Sequence, residues 1–93
     1  MEQIVRRCRA LVEAEVDGEL VALDVDAGQC YGFNRTATRI WELIEEPMRV
    51  TQVRGALLKE FEVSEEECDE QLSELLNFLQ QKGLITLEAV ASS

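Results

Sequence analysis

The stretch from Cys30 to Ala37 is where the periodicity of the chain changes from that of strands to that of helices. Before it, apolar residues alternate with polar ones, and after it they recur at intervals of three and four. Tyr31 and Phe33 are two residues apart, so in an extended segment their side chains share one face. Asn34 then offers a side-chain oxygen to the free N–H groups of a following helix. Strands followed by helices are typical of the α+β class.

Three antiparallel strands are predicted before this switch. Residues 8–16 alternate between apolar and mostly acidic side chains, which is typical of a half-buried strand. Asp17-Gly18 is a strong signal for a two-residue hairpin turn. The return strand alternates again through residue 25, and a second turn at residues 26–29 leads to a third strand over residues 30–33. The result is a meander whose first and third strands are both edges. The apolar faces predicted for the first two strands comprise Ala10, Val12, Ala14, Val16, Val21, Leu23 and Val25.

Two helices are predicted directly after the switch. Apolar residues at i, i+3, i+4 and i+7 predict the first helix from about Thr36 to Ile44, with Trp41 at the centre of the core. Pro47 ends this helix because proline cannot continue it. Thr51 is the predicted cap of the second helix.

A third helix and a short final strand complete the prediction. Ser64 and the glutamates after it form a capping signal, and the apolar stripe continues to Lys82. Gly83 is the predicted stop. Residues 84–87 are predicted to add a short strand, and residues 89–93 to form a frayed tail. The fold class is therefore α+β, with a three-stranded antiparallel meander followed by a three-helix bundle.

Length and charge limit the functions that this chain can have. Its 93 residues predict one domain with an ordered core over about residues 8–87. No apolar run approaches the ~18 residues of a membrane span, and the start does not resemble a signal peptide, so we expect no membrane contact and a cytoplasmic location. Nineteen acidic against nine basic residues give a net charge of −10, which disfavours nucleic acid as a partner.

The residue types that carry most enzyme chemistry are scarce. The sequence contains no histidine, the commonest general base and metal ligand. Its three cysteines, Cys8, Cys30 and Cys68, are far apart and form no CxxC pair, so they predict neither a disulfide framework nor a metal site. We therefore expect a protein that is not an enzyme and has no cofactor. An open sheet edge without catalytic residues is typical of a module that binds extended peptides.

Two motifs resemble a known family. Residues 31–41 read Tyr-Gly-Phe-Asn-Arg-Thr-Ala-Thr-Arg-Ile-Trp, which is similar to the Y-x-L-N-x-T-A-x-x-I-W signature of the PqqD-like proteins. The leucines of residues 72–79, followed by Gly-Leu-Ile at residues 83–85, resemble the end of the third helix in that family. Phe33 stands where the family usually has leucine. The resemblance extends over residues 12–87 and implies a winged-helix-like RiPP recognition element, which binds the leader of a precursor peptide and delivers it to modifying enzymes.

The resemblance also implies a site. The leader is expected to add as a strand beside the third strand and to lie against the third helix. Gln71 stands where many members have aspartate, which alters any polar contact at that position. About half of the leucines in the helix stripe are expected to face the core by the ordinary width of a buried stripe, and the sequence does not separate them from groove residues. The predicted peptide-binding residues are Cys30, Tyr31, Gly32, Phe33, Cys68, Asp69, Gln71, Leu72, Leu75 and Leu76.

Several functions compete on these observations. The chain most resembles the separate recognition proteins of lasso-peptide clusters, which implies a leader-cleaving cysteine protease as partner. The quinone-cofactor branch, which works with a radical-SAM enzyme, is the alternative. A winged-helix DNA-binding protein would share the architecture, but the start of the predicted third helix carries five acidic side chains within residues 65–70. A small acidic carrier protein would need an Asp-Ser-Leu at a helix start, which is absent.

Overall fold

The computed structural model describes residues 2–90, which form two sheets and three helices. The strands are β1 (Gln3–Arg7), β2 (Val12–Val16), β3 (Glu19–Asp24), β4 (Gln29–Phe33), β5 (Met48–Arg49) and β6 (Ile85–Ala89). The helices are α1 (Arg35–Leu43), α2 (Val50–Glu60) and α3 (Glu65–Gln81). The α+β class and the order of a meander followed by helices are confirmed.

One of the two sheets is the predicted meander, with strand order β2-β3-β4. The other has the order β5-β1-β6 and was missed from the sequence. In it β1 pairs with β6 from Gln3–Ala89 to Arg7–Ile85, so the beginning and end of the described chain are joined. The predicted frayed tail is therefore wrong at Ala89, which ends β6, and residues 91–93 lie outside the described residues. Local patterning cannot show a pairing between segments about eighty residues apart.

The prediction of the core-facing side of the first hairpin was wrong. All five residues of β2 are exposed, and the strand begins at Val12 instead of Cys8. On β3 the buried side chains are Leu20, Ala22 and Asp24, while the predicted apolar row points to solvent. The physical reason is the position of α1, which packs on β3 and β4 and leaves the opposite face of the sheet uncovered.

Helix ends mostly follow their capping residues. The Asn34 side chain accepts a hydrogen bond from the Ala37 N–H at 2.8 Å, and the Ser64 side chain accepts one from the Glu67 N–H at 3.1 Å. Gly83 has a φ of +73°, as expected for the residue that follows a helix end. The predicted cap of the second helix at Thr51 was wrong, because α2 begins at Val50 and its N-cap is Arg49.

Trp41 lies fully buried in the core, as predicted, and it connects the two sheets. The Trp41 Nε1–H donates to the Glu13 carboxylate of β2 at 3.1 Å, and the Arg7 guanidinium of β1 lies 4.1 Å from the centre of the indole ring. Arg7 also donates to the Trp41 carbonyl and lies 3.6 Å from the Glu13 carboxylate. Burial lowers the pKa of the Arg7 side chain, which remains charged at neutral pH. This Arg7–Trp41–Glu13 cluster explains why an acidic residue of β2 points inward.

Candidate functional site

The outer edge of β4 is unpaired among residues 2–90, because this strand ends the sheet β2-β3-β4. Its inward side chains, Tyr31 and Phe33, are buried, whereas Cys30 and Gly32 are exposed on the other face. Phe33 packs on Trp41 with ring centres 5.9 Å apart, and Tyr31 contacts the Phe78 ring of α3 edge-to-face at 6.0 Å. These aromatic contacts anchor the strand from one side and leave its backbone edge accessible.

The register of the sheet determines which β4 backbone groups point to this edge. Asp17 and Gly18 both have positive φ, 53° and 81°, so the β2–β3 turn is of type I′ and its hydrogen bond runs from the Glu19 N–H to the Val16 carbonyl. Because backbone direction alternates along a strand, every second residue of β3 counted from Glu19 points to β2 and the others point to β4. The residues of β3 that point to β4 are Leu20, Ala22 and Asp24.

Their partners in β4 follow from the pairing. Leu20 is opposite Phe33 and Ala22 is opposite Tyr31, so the backbone groups of Tyr31 and Phe33 point to β3. The N–H and C=O groups of Cys30 and Gly32 consequently point away from β3, to the free edge. The sequence predicted such an alternation without showing which pair was which.

Thr38 gives an independent check on this assignment. Its hydroxyl accepts from the Leu20 N–H at 3.0 Å and donates to the Phe33 carbonyl at 3.2 Å. Both backbone groups therefore point into the space between β3 and β4, as the turn geometry requires. Thr38 is buried in α1, so this hydroxyl also attaches the helix to the last residue of β4.

A groove of about 320 Å³ begins where β4 ends and lies between α1 and α3. Its wall on the α3 side combines amide, carboxylate and apolar groups, and the opposite wall is formed by the start of α1. The residues that line it are Asn34, Thr36, Ala37, Ile40, Gln71, Glu74, Leu75 and Phe78. An extended chain paired with the β4 edge would direct alternate side chains to the groove side of the sheet.

The structure divides the predicted residues of the third helix into two sets. Gln71 and Leu75 line the groove beside β4. Cys68, Leu72 and Leu76 are at most 5% exposed and belong to the core. The latter two also line a separate groove of about 260 Å³ on the other side of α3.

Asp69 also lies on that other side, where its carboxylate pairs with the guanidinium of Arg54 on α2. This hydrogen bond raises the pKa of Arg54. Glu74 and Phe78, by contrast, line the β4 groove and were not predicted. The signal that could have found them is helical spacing, since they lie three and seven residues after Gln71 on the same face.

No group of three or more acidic or cysteine side chains among residues 2–90 is placed to hold a metal ion. Burial raises the pKa of the Cys68 thiol, which opposes formation of the thiolate. Within the described range, no helix is both long and apolar enough to cross a membrane. The available chemistry at the β4 edge is that of backbone hydrogen bonding flanked by a groove for side chains.

Fold and site together define a class: small α+β domains with an open sheet edge beside a helical groove. The family model described as "Coenzyme PQQ synthesis protein D (PqqD)" matches residues 19–85. The chain belongs to this family, which confirms the resemblance seen in the motif of residues 31–41. Among curated proteins, none matches the chain.

Two solved structures share the fold. One is TbiB1 in complex with the TbiA(beta) leader peptide, which is 31% identical, with 94% of this chain and 99% of that chain covered and a TM-score of 0.75. The other is a lasso peptide synthetase B1 complexed with the leader peptide, which is 22% identical, with 88% and 96% covered and a TM-score of 0.70. At this lower identity the second match supports the fold alone.

Proposed function

We propose that this protein binds the leader segment of a ribosomally made precursor peptide as a strand added to the β4 edge. It then presents that peptide to a processing enzyme. The observation that carries the proposal is the pair of outward-pointing backbone groups at Cys30 and Gly32 beside the α1–α3 groove. Backbone pairing supplies affinity for any extended chain, and pockets for alternate side chains supply selectivity.

The contact surface of the proposed site differs from the one that the sequence predicted. It comprises the β4 backbone with Gln71, Glu74, Leu75 and Phe78 of α3, which line the groove. For Cys68, Asp69, Leu72 and Leu76 a contact with peptide stays a prediction. The core position of three of them and the ion pair of Asp69 favour structural roles.

A leader-cleaving cysteine protease of a lasso-peptide pathway is the partner enzyme that we favour. The support is the resemblance of this chain to the separate recognition proteins of lasso-peptide clusters, together with the likeness to TbiB1, which was solved with a leader peptide and covers 94% of this chain at 31% identity. In this role the protein performs no chemistry itself and acts as an adaptor in the cytoplasm. The family description favours one alternative, delivery of a peptide to a radical-SAM enzyme in quinone-cofactor synthesis.

Titration of separate leader and core peptides tests the binding step. The probes are the synthetic leader and core halves of a candidate precursor peptide, measured by isothermal calorimetry. We expect the leader half to bind with a dissociation constant of micromolar or below, about −8 kcal/mol or stronger, and the core half not to bind. Equal affinity for both halves, or none for either, would exclude the proposal.

A cleavage assay separates the two candidate pathways. With a candidate leader-cleaving protease, addition of this protein should accelerate removal of the leader, and the Cys30→Pro variant, which blocks the edge, should not. Pull-down of a radical-SAM enzyme without any effect on proteolysis would favour the alternative.

Mixed duplex DNA is the control partner, and the net charge of −10 predicts negligible binding to it at physiological salt.

A further inference from the structure

Gly32 is a glycine that the fold itself does not require. Its φ lies outside the left-handed region, unlike that of Gly18, Gly28 and Gly83. Apart from Gly32 itself and its two chain neighbours, no described residue has an atom within 4 Å of the position that a Cβ at Gly32 would occupy. Because glycine weakens a strand interior and leaves a gap in side-chain packing, its presence here points to the close approach of another group.

The gap lies at the end of an apolar row on the outer face of the sheet. Gly32 is opposite Val21, which is in turn opposite Ala14. Val21 is 41% exposed, and Leu23 in the adjacent row is 40% exposed. Except for Glu19 at the turn, the outer face is therefore apolar on β2 and β3, and it has no side chain at its edge position next to Val21.

A strand added at β4 would extend this row. Since the N–H and C=O groups of Gly32 point to the free edge, one guest residue pairs with Gly32 directly. The side chain of that residue projects on the same outer face. The guest residues on either side of it point to the opposite face, toward the groove lined by Leu75 and Phe78. A bound leader thus presents alternate residues to two different surfaces.

We propose that Gly32 is a specificity-determining residue, and that the leader places a large aromatic or branched aliphatic side chain opposite it. That side chain lies across the exposed glycine backbone and packs on Val21. Aromatic side chains on a neighbouring strand are known to stabilise edge glycines in this way. The outer row offers no polar partner, so a polar side chain at this position would gain little. This inference rests on the proposed function and adds the chemical class of one leader residue.

A second copy of the chain is the competing occupant of the outer face. Each copy carries a net charge of −10, so two copies placed face to face repel each other electrostatically. Continuity with the β4 edge favours the leader instead, because an added strand would cover Gly32 and the exposed side of Val21 at once.

The test uses the fluorescein-labelled leader half of the same candidate precursor peptide and its alanine-scanned set, with binding measured by fluorescence polarisation. Gly32→Val should lower the affinity for the unaltered leader at least tenfold, while the thermal midpoint of unfolding stays the same or rises. Replacing the leader residue opposite Gly32 by alanine should lower affinity for the wild-type protein. The same replacement should change little in the Gly32→Val background, so that the two losses are not additive.

Ala14→Val is the matched control, since it enlarges an exposed side chain in the same outer row but on the far strand β2, and it should alter affinity less than threefold. Gly32→Ala provides a smaller step should the valine variant fail to fold. Wild-type affinity in both Gly32 variants, or an alanine scan without a large apolar residue among the outward positions, would overturn the inference. So would a dimer in solution that Val21→Asp dissociates. Absence of leader binding by the wild-type protein would instead overturn the proposed function.

Discussion

The two edge strands of the meander, β2 and β4, make a useful comparison because each has five residues and each pairs only with β3 among the described residues. Strand β4 buries Tyr31 and Phe33 against the helices, whereas every residue of β2 is exposed. Only β4 leads directly into the groove between α1 and α3. An unpaired edge is thus insufficient for a docking site, since the edge must also be anchored from behind and flanked by a place for guest side chains.

The largest difference between the edges should be in stability. Phe33→Ala removes a ring that is 5% exposed and packs on Trp41, so we expect a loss of about 3–5 kcal/mol in the free energy of unfolding. Val12→Ala, at a position that is 61% exposed on β2, should change it by less than about 0.5 kcal/mol. Urea unfolding followed by circular dichroism measures both values. Similar losses at the two positions would contradict the assignment of β4 as the buttressed edge.

The second difference should be in peptide binding. Cys30→Pro removes an N–H that points to the free edge of β4, so leader affinity should fall by ~1–3 kcal/mol with the fold intact. Glu15→Pro is the matched control, because alternation from the type I′ turn places its N–H on the free edge of β2. Circular dichroism verifies folding and polarisation with the labelled leader measures affinity. The opposite outcome, loss only with Glu15→Pro, would assign docking to β2.

A third, smaller difference should separate two glutamates of β2, Glu13 and Glu15. Glu13→Ala leaves the buried Trp41 N–H without an acceptor and Arg7 without its carboxylate, which should destabilise the fold by about 1–2 kcal/mol. Glu15→Ala, two residues along the same strand, should have almost no effect. The thermal midpoint should fall by roughly 4–8 °C for each kcal/mol lost in a domain of this size. Equal midpoints for the two variants would show that Glu13 does not support the core.

Thiol reactivity should give the smallest effect. Cys8 and Cys30 are exposed, so iodoacetamide should label both in the folded protein. Burial raises the pKa of the Cys68 thiol, so less of it is thiolate at pH 8 and it should stay unlabelled until unfolding. Bound leader should slow labelling of Cys30 and leave Cys8 unchanged, as mass spectrometry can measure. Protection of Cys8 instead would contradict docking at β4.

Features of the fold that depend on neighbouring residues could be predicted from the sequence, whereas features that depend on contacts between distant residues could not. Asn34, Ser64 and Gly83 act within one helical turn of themselves, and the sequence predicted all three helix boundaries that they set. The face of the first hairpin failed because the alternation at Val12 and Val21 shows only that two faces differ. Which face the helices cover depends on where α1 packs. An acidic residue of a strand usually points to solvent, but the carboxylate on β2 points inward because it accepts a hydrogen bond from Trp41.

The site was predictable to the same extent. Family resemblance indicated residues 30–33 as the docking strand, which stays a prediction, and the structure gives this strand an unpaired edge among the described residues. Backbone alternation was also expected there in advance. The sequence could not predict which leucines of the third helix face the core and which face the groove. Leu72 and Leu75 are equivalent in a pattern that records only polarity. Their difference, buried against partly exposed at the groove, arises from the positions of α1 and α2 on either side of α3.

The pairing of β1 with β6 has a consequence for synthesis of the protein. Closing a loop from Gln3 to Ala89 costs more chain entropy than closing either hairpin, and no β1–β6 contact can form before Ile85 has left the ribosome. The hairpins of β2, β3 and β4, whose partners are close in sequence, can form while translation continues. The nascent chain thus completes the meander that carries the proposed docking edge first, and the sheet that closes the domain forms last.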